Sequence, residues 1–489
     1  MAFNLFRKKE LARLMSDTEL EGHKLRRTLG VWDLTALGIG CIIGVGVFVL
    51  PGVEAAKHAG PGIILSFAIA GLACACSALC YAELASMIPV AGSAYTYGYA
   101  TLGELPAWII GWDLILEYMV AACLVSIGWS GYFVNLANNI LRGWGISLPP
   151  SLVNAPVAWS AELHKFVATG AVINIPAIFI VVLLTILLIR GIKESSRINM
   201  VIVIVKIVVI AFFIVLAVWH IKPSNWQPFM PFGFGGVMTA AAIVFLAFVG
   251  FDAVSTAAEE AKNPQRDMPR AIMGSLAVAT VLYMAVSAIM TGVVPYDRLG
   301  VPDPVALVLN ELKMPWASSI VSIGALAGIT SVLLVLILGQ PRILFAMSRD
   351  GLLPPALSHV HKKFKTPYKT TILTGIIVAV ASGLLPIQVV AELCSIGTLF
   401  AFIIVCSGVI VLRFIRKDLN RPFKAPLFPF IPIAGVGLCA YLMVNLPTTA
   451  WERFLIWLVI GLTIYFAYGR HKSALHREPT EQIDVDIKI

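Results

Sequence analysis

Apolar runs long enough to cross a lipid bilayer recur along this sequence, and they constrain its fold more than any other feature. A spanning helix needs about 20 predominantly apolar residues. Of the 489 residues, 59% are hydrophobic and only 13% are charged, whereas soluble domains are about 25% charged. The sequence therefore predicts an all-α integral membrane protein with twelve transmembrane helices. They are expected at about 31–54, 61–88, 106–136, 172–190, 198–219, 237–258, 270–294, 317–345, 370–386, 389–412, 427–446 and 452–469.

The net charge of +9 is explained by where the basic residues fall and does not require a nucleic-acid partner. If the N-terminus lies inside, 28 of the 36 Lys and Arg residues fall on the inner side of the predicted spans, 7 fall on the outer side, and Lys206 lies within a span. Basic residues concentrate on the cytoplasmic side of membrane proteins. We therefore expect both termini in the cytoplasm and no nucleic acid among the partners.

Motifs that would indicate an enzyme or a metal site are missing from the sequence. Most of the eight Cys residues lie within apolar spans, and the group Cys74, Cys76 and Cys80 has no accompanying His or acidic ligands. We interpret these cysteines as packing residues. Neither a HExxH helix nor a Walker loop occurs, which argues against a membrane hydrolase and against ATP-driven transport. The segment 1–30 has no apolar core, so no cleavable signal peptide is expected. The outer segment 137–170 contains three prolines and is predicted to be irregular.

Glycine interrupts two of the predicted spans, and the spacing of these two spans indicates an architecture. The first span contains GIGCIIGVGVFVLPG (38–52) and the sixth contains FLAFVGFDAVST (245–256). Each interior glycine weakens a helix by about 1 kcal/mol, and unwound backbone at membrane depth is tolerated where it lines a cavity or is buried in protein. An inverted repeat of five helices would place the two breaks five spans apart, with the substrate between the repeats. Close helix packing through Gly40 and Gly44 is the alternative interpretation.

With these features, the sequence resembles the amino acid–polyamine–organocation superfamily, and within it the bacterial relatives of the cationic amino acid transporters. The resemblance continues through YAELASMIPVAGSAYTYGYATLGELPAWIIGWDLILEY (81–118), GFDAVSTAAEEAKNPQRDMPRAI (250–272) and PRILFAMSRDGLLP (341–354). It implies the leucine-transporter fold, which is a five-plus-five inverted repeat with helices 1 and 6 broken at mid-membrane, plus two further helices. It also implies a secondary transporter of the bacterial cytoplasmic membrane that imports L-amino acids with protons, and not an enzyme.

The same resemblance divides the chain into parts and sets expectations for its partners. A cytoplasmic N-terminal segment (1–30) is followed by the first repeat (31–219), the second repeat (220–412), helices 11 and 12 (413–469) and a cytoplasmic tail (470–489). Neither a cofactor nor a sodium site is expected, because the proton gradient would drive transport. Membrane lipid surrounds the bundle, and an additional single-helix subunit is left open.

The two broken helices supply the predicted substrate site. A helix N-terminus attracts anions and glycine lets a ligand approach the backbone, so the N–H groups of Gly44, Val45 and Gly46 would hold the substrate carboxylate. Freed carbonyl groups would accept hydrogen bonds from the substrate ammonium. The residues expected there are Ile42, Ile43, Phe245 and Phe248, with Leu246 and Val249 beside them. The family usually has threonine at Val45 and an aromatic residue at Leu246, so one hydroxyl is missing and gating is expected to differ.

Two ionisable residues are candidates inside the bundle. Lys206 lies about eight residues from the inner end of the fifth span, or about 12 Å at 1.5 Å per residue. Intramembrane charges are functional by default, and the resemblance matches Lys206 to the lysine that replaces a sodium ion in proton-coupled members. Snorkelling to the interface, with a structural role, is the alternative. The resemblance also places Glu117 near the substrate cavity, where it would contact the ligand or support a neighbouring helix.

Substrate preference is predicted from one position. The resemblance places the eighth helix opposite the substrate side chain, near Leu336. A bulky apolar residue there would exclude the long side chains of arginine and lysine. We therefore predict small or medium neutral amino acids, above all those of alanine-like size. Transport of cationic amino acids (arginine, lysine), and exchange of an amino acid for another substrate such as a polyamine, are the alternatives.

Overall fold

The computed structural model describes residues 29–87, 95, 98–99, 102–141, 145, 147–160, 165–190, 196–251, 254, 261–359, 366–415, 417 and 419–473. Most of the two predicted cytoplasmic segments, 1–30 and 470–489, lies outside the described residues. The chain is predominantly helical. Its α-helices are α1 (Val31–Ile42), α2 (Val45–Phe48), α3 (Leu50–Glu54), α4 (Ile63–Met87), α5 (Glu104–Leu141), α6 (Ile175–Ile189), α7 (Ser196–Ala217), α8 (Gly233–Val244), α9 (Pro264–Val293), α10 (Pro304–Glu311), α11 (Pro315–Arg349), α12 (Tyr368–Leu384), α13 (Ile387–Ile415), α14 (Phe430–Val444), α15 (Thr448–Ile464) and α16 (Arg470–Lys472).

Seven helical stretches of the described chain are long and apolar enough to cross a membrane. They are Leu50–Met87, Glu104–Leu141, Met200–His220, Pro264–Val293, Pro315–Arg349, Ile387–Ile415 and Thr448–Lys472. Five shorter apolar helices accompany them, at Val31–Ile42, Ile175–Ile189, Gly233–Phe248, Tyr368–Leu384 and Phe430–Val444. The all-helical membrane architecture is thus observed. Each of the twelve predicted spans overlaps at least one of these stretches, and the count of twelve crossings stays a prediction.

Apolar side chains lie on the outer surface of the helix bundle as well as in its core. On α7, for example, Val201, Ile204, Val208 and Val215 are all exposed. A helix that is hydrophobic all round is buried in a large core or surrounded by lipid. The exposed apolar face of α7 is therefore explained by contact with hydrocarbon.

The long helices pack in a repeated set of pairs. Helix α4 packs along α9, α5 along α11, and α6 along α12. Four further pairs are α1 with α9, α4 with α8, α7 with α11, and α5 with α13. Glycines allow some of these close approaches, since a Cβ atom added at Gly324 would lie 2.3 Å from Val209 and one at Gly375 would lie 2.4 Å from Thr185. Small residues serve the same purpose between membrane helices in general.

The outer segment 137–170 is more ordered than predicted. Helix α5 continues to Leu141, and a β-hairpin follows, with β1 (Val157–Ser160) antiparallel to β2 (Lys165–Ala168). Trp159 pairs with Phe166 across the hairpin, with ring centroids 5.0 Å apart. Cross-strand aromatic pairs stabilise such hairpins. The prediction of an irregular loop was wrong because Pro156 precedes the strand and does not interrupt it.

Candidate functional site

The first predicted helix is broken where the glycines indicated. Helix α1 ends at Ile42, Ile43 has an extended backbone with φ −77° and ψ 103°, and a new helical segment begins at Val45. The first N–H groups of a helix have no acceptor within it. The N–H groups of Gly44, Val45 and Gly46 therefore lie at the start of a short helical segment.

The sixth predicted helix is broken beside the first. Helix α8 tightens into a 3₁₀ turn at Phe245–Phe248, and Gly250 then adopts φ +119°. This backbone conformation favours glycine. A Cβ atom at Gly250 would lie 2.8 Å from the carbonyl carbon of Cys41, so glycine also permits the two broken helices to touch. The two interruptions thus form a single site.

Tyr283 of α9 connects the two breaks. Its hydroxyl oxygen lies 2.8 Å from the carbonyl oxygen of Ile42 and 2.8 Å from that of Ala247. A hydroxyl has one proton, so it donates to one of these carbonyls at a time. Tyr283 is fully buried. Tyr283 was not among the residues predicted from the sequence, although a tyrosine in an apolar helix usually needs a hydrogen-bond partner.

A small cavity lies between the broken helices and the walls of α5 and α11. Its volume is about 50 Å³, and a water molecule takes about 30 Å³ in the liquid. The cavity is lined by Cys41, Ile42, Gly44, Val45, Gly46, Tyr118, Ala121, Leu124, Val125, Leu246, Ala247, Val249, Gly250, Val332, Val335 and Leu336. None of these described lining residues is charged. The arrangement can surround an apolar side chain and present backbone polar groups at one end.

The structure brings together seven of the predicted substrate-site residues and separates four. Those that line the cavity are Ile42, Gly44, Val45, Gly46, Leu246, Val249 and Leu336. Phe245 instead packs edge-on against Phe402, and Phe248 packs against Tyr283. Ile43 and Glu117 are buried without lining the cavity, although Glu117 directly precedes Tyr118, which does. Binding of substrate by any of these residues stays a prediction.

Lys206 is completely buried in the middle of α7 and does not reach either end of the helix. Its Nζ donates a hydrogen bond to the carbonyl oxygen of Gly40, 2.6 Å away, in the last turn before the first break. Gly328 of α11 makes room for it, since a Cβ atom there would lie 2.9 Å from the Lys206 Cγ. The lysine thus lies where α1, α7 and α11 meet, and its partner Gly40 directly precedes the cavity-lining Cys41.

Comparison with known proteins agrees with this geometry. A family model described as amino acid permease matches residues 29–466. The chain belongs to the amino acid permease family. Permeases are transporters, so the protein is a membrane transporter and not an enzyme.

Three relatives of the permease differ in what their names say they transport. The chain is 52% identical to the branched-chain amino acid permease BcaP of Bacillus subtilis (strain 168), over 98% of this chain and all of the relative. It is 48% identical to the methylthioribose transporter of the same organism, over 97% of this chain and all of the relative. It is 38% identical to the vacuolar cationic amino acid transporter 4 of Arabidopsis thaliana, over 81% of this chain and 65% of the relative.

The α5 wall of the permease cavity was not predicted from the sequence. Helix α5 contributes Tyr118, Ala121, Leu124 and Val125, a spacing that places all four on one helix face. The same apolar spacing continues along α5, so it does not distinguish residues of the cavity wall from residues of the core. Gly339 lets α11 approach this wall, since a Cβ atom there would lie 2.6 Å from the Tyr118 ring.

Proposed function

We propose that the permease is a proton-coupled symporter that imports neutral apolar L-amino acids by alternating access. The observation that carries this proposal is the uncharged, apolar cavity enclosed by the two broken helices. A charged guanidinium or ammonium group on a substrate side chain would lose its hydration there without a charged partner among the described lining residues, at a cost of several kcal/mol. Arginine and lysine are therefore poor candidates.

The proposed substrates extend from alanine to the branched-chain amino acids. Val332, Val335 and Leu336 of α11 face the cavity opposite Val45, so methyl groups would contact methyl groups. The 52% identity to a permease named for branched-chain amino acids favours larger apolar side chains than the alanine-like size predicted from Leu336 alone. Because the volume is only about 50 Å³, the walls move apart when any of these substrates binds.

The backbone at the breaks would bind the part that all amino acids share. The N–H groups at Gly44 to Gly46 would hold the carboxylate, and the carbonyl oxygens of Ile42 and Ala247 would accept hydrogen bonds from the ammonium. Tyr283 lies against both carbonyl groups. Its single proton satisfies one of them and leaves the other for the ligand.

The pairing of helices supports a five-plus-five inverted repeat. An inverted repeat exchanges spans one to five with spans six to ten, so each span number changes by five. When this exchange is applied to an observed pair of spans, the result is another observed pair. The pair of spans three and ten (α5 with α13) corresponds to that of spans eight and five (α11 with α7), and the pair two and six (α4 with α8) to seven and one (α9 with α1). This is the relationship expected when two halves share one fold and the substrate lies between them. With two further helices both termini would lie on the same side, which the distribution of basic residues predicts to be the cytoplasm.

Lys206 would couple the substrate to the proton. A buried ammonium group is costly, and its hydrogen bond to Gly40 connects it to the end of α1 at the break. Loss of the proton would weaken that hydrogen bond and release α1 to change its position. Such an effect on α1 would link protonation to closing and opening of the site.

The decisive experiment is uptake into liposomes that contain only the purified permease. With an acidic exterior and substrate outside only, labelled leucine, valine or alanine should accumulate, whereas arginine should not. Collapse of the pH gradient with an ionophore should abolish the accumulation. Uptake of arginine as fast as that of alanine would contradict the cavity argument. Uptake that needs amino acid inside the liposomes and ignores the pH gradient would identify an exchanger.

A second candidate substrate is a methylthio sugar, because the chain is 48% identical to a transporter named for methylthioribose. The apolar cavity suits a methylthio group as well as an isobutyl group. The two candidates differ at the polar end, since a sugar has no ammonium and no carboxylate. Competition of unlabelled methylthioribose against labelled leucine in the same liposomes separates them.

A further inference from the structure

A second and larger cavity lies on the face that is predicted to be extracellular. Its volume is about 660 Å³, and it is bounded by the β-hairpin, α5 and the chain around Pro302. Side-chain amide and hydroxyl groups line much of it, from Ser130, Asn135, Asn138, Asn154, Thr169 and Asn174. Asp303 is the one charged residue among the described residues that line it. A carboxylate surrounded by neutral polar groups favours a ligand with a positive charge.

Close packing fixes the position of Asp303. A Cβ atom at Gly131 of α5 would lie 2.5 Å from the Cβ of Pro302, and one at Gly52 of α3 would lie 2.3 Å from that of Pro304. The two prolines that flank Asp303 thus press against both helices. The carboxylate is therefore held between α5 and the outer half of the first broken helix.

The orientation of the Asp303 side chain is set by its neighbour Asn135. The Oδ1 of Asn135 accepts hydrogen bonds from Asn139, Ser318 and Ser322, at 3.1, 3.2 and 3.3 Å. The amide group of Asn135 is therefore oriented to donate to the Asp303 carboxylate. Asp303 precedes α10, yet its side chain does not cap that helix. The hydrogen bonds from Asn135 and from the Asp303 backbone N–H leave further acceptor capacity on the carboxylate.

We call the 660 Å³ cavity the outer cavity and the 50 Å³ cavity between the broken helices the central cavity. The two follow one another along α5. Val125 lines the central cavity and Gly131 lines the outer cavity, six residues or about 9 Å along the helix axis at 1.5 Å per residue. Between them, Gly128 packs against Val45, since a Cβ atom at Gly128 would lie 2.8 Å from the Val45 Cγ2. The contact between Gly128 and Val45 therefore lies between the two cavities along α5.

We propose that the outer cavity is a first binding site for the incoming amino acid, where the Asp303 carboxylate receives its ammonium group. The amides and hydroxyls around it would hold the carboxylate end, and release of the ammonium would accompany entry past Val45. This inference rests on the proposed function, since it presumes an amino acid substrate that arrives from outside.

The charge of Asp303 gives the site a dependence on external pH. Burial raises the pKa of the Asp303 carboxyl to about 6, even though the hydrogen bond from Asn135 lowers it. The carboxylate is thus charged above pH 6 and becomes neutral as the external pH falls through 6. Among the described groups, the titratable neighbour that interacts electrostatically with Asp303 is Tyr132 of α5. The phenol of Tyr132 donates a hydrogen bond to the carbonyl oxygen of Phe48, 2.6 Å away. Capture by Asp303 is therefore expected at neutral pH and lost in acid.

The test compares Asp303→Asn with wild-type protein by the KM and maximal rate of leucine uptake. At external pH 7.5 the KM should rise about 3- to 10-fold, as for one partly solvated charge-assisted hydrogen bond, with the maximal rate unchanged. At pH 5 the two proteins should have the same KM, because the wild-type carboxyl is then neutral. Asp303→Glu should lie closer to wild type than Asp303→Asn does, which separates a role of the charge from a folding defect.

Two controls make the result specific. Glu311→Gln removes a negative charge from the same face, where Glu311 is exposed and paired with Arg298, and should leave the KM unchanged. The leucine analogue with a hydroxyl in place of its ammonium should inhibit wild-type and Asp303→Asn protein equally. An unchanged KM in Asp303→Asn at pH 7.5, or an equal rise in Glu311→Gln, would overturn this inference alone. Absence of apolar amino acid uptake by the wild-type protein would overturn the proposed function and this inference with it.

Discussion

The ammonium group of Lys206 donates a hydrogen bond to the carbonyl oxygen of Gly40 across 2.6 Å. Gly40 lies in the last turn of α1, and the helix stops two residues later. A single hydrogen bond thus joins a fully buried, ionisable side chain to the end of a broken helix. Any change in the protonation of Lys206 acts on the element that also supplies the backbone of the central cavity.

Replacement of Lys206 by alanine should uncouple uptake from the pH gradient. The substitution removes a hydrogen bond from a charged donor, worth about 1.5–3 kcal/mol, so gradient-driven leucine uptake should fall by more than about tenfold. Exchange of labelled for unlabelled leucine should persist, because the cavity itself is intact. Lys222→Ala removes an exposed lysine and serves as the control. Undiminished proton coupling in Lys206→Ala would remove the coupling hypothesis.

Replacement of Tyr283 by phenylalanine should loosen the connection between the two breaks. It removes the single hydroxyl proton that serves either the carbonyl oxygen of Ile42 or that of Ala247, and an unsatisfied buried group costs about 1–3 kcal/mol. The apparent melting temperature in detergent should fall, and the KM for leucine should change. Ser287→Ala on the same helix removes a hydroxyl that bonds only to its own helix, at Tyr283 O. If both variants behave alike, Tyr283 has no special connecting role.

Truncation of Leu336 to alanine should shift preference toward larger substrates. The side chain lines the central cavity, and one extra or missing methylene group in an apolar pocket changes the discrimination between two substrates by about 1–3 kcal/mol. The ratio of phenylalanine to alanine uptake should rise by roughly tenfold. Leu334→Ala, on the same helix but away from the cavity, should leave that ratio as it is. The measurement is competition against labelled leucine.

Substitution of Glu83 by glutamine should destabilise the fold without a change in substrate preference. Glu83 is buried and pairs with Arg413 and Arg421, while its carboxylate also accepts from the backbone N–H of Ala425 at 2.8 Å. Removal of one partner from a buried ion pair costs about 3–5 kcal/mol. The control is the exposed pair of Glu311 with Arg298, since exposed pairs contribute about 0–1 kcal/mol. Equal melting temperatures for Glu83→Gln and Glu311→Gln would contradict this expectation.

The sequence predicted the parts of the site that depend on the chain locally. Glycine weakens a helix wherever it occurs, so the interruptions near Gly44 and Gly250 were expected and are observed. A lysine in an apolar run stands out in the same way, and Lys206 is indeed buried within the bundle. These signals need no knowledge of which helices are neighbours.

The remaining parts depend on contacts between distant elements. The sequence shows Tyr283 only as a tyrosine in an apolar helix, and its role follows from the contact of α9 with both breaks. Likewise, the sequence shows Asp303 only as an acid in a loop, and its position follows from the packing at Gly131 and Gly52. Phe245 and Phe248 were chosen for their position beside the break, yet both pack into the aromatic core around Phe402 and Tyr283. Successive residues of a helix point in different directions, so one residue faces the cavity while the next faces the core. The periodicity of the sequence does not show which of the two faces the cavity.

The small volume of the central cavity affects how binding measurements on this permease are interpreted. If the proposed amino acid substrate binds there, a site of about 50 Å³ would first have to widen, and only the widened fraction of the molecules would be competent to bind. The apparent dissociation constant equals the intrinsic one divided by that fraction. A substitution that favours the widened state would therefore tighten apparent binding of every substrate by one common factor, without any new contact to the ligand.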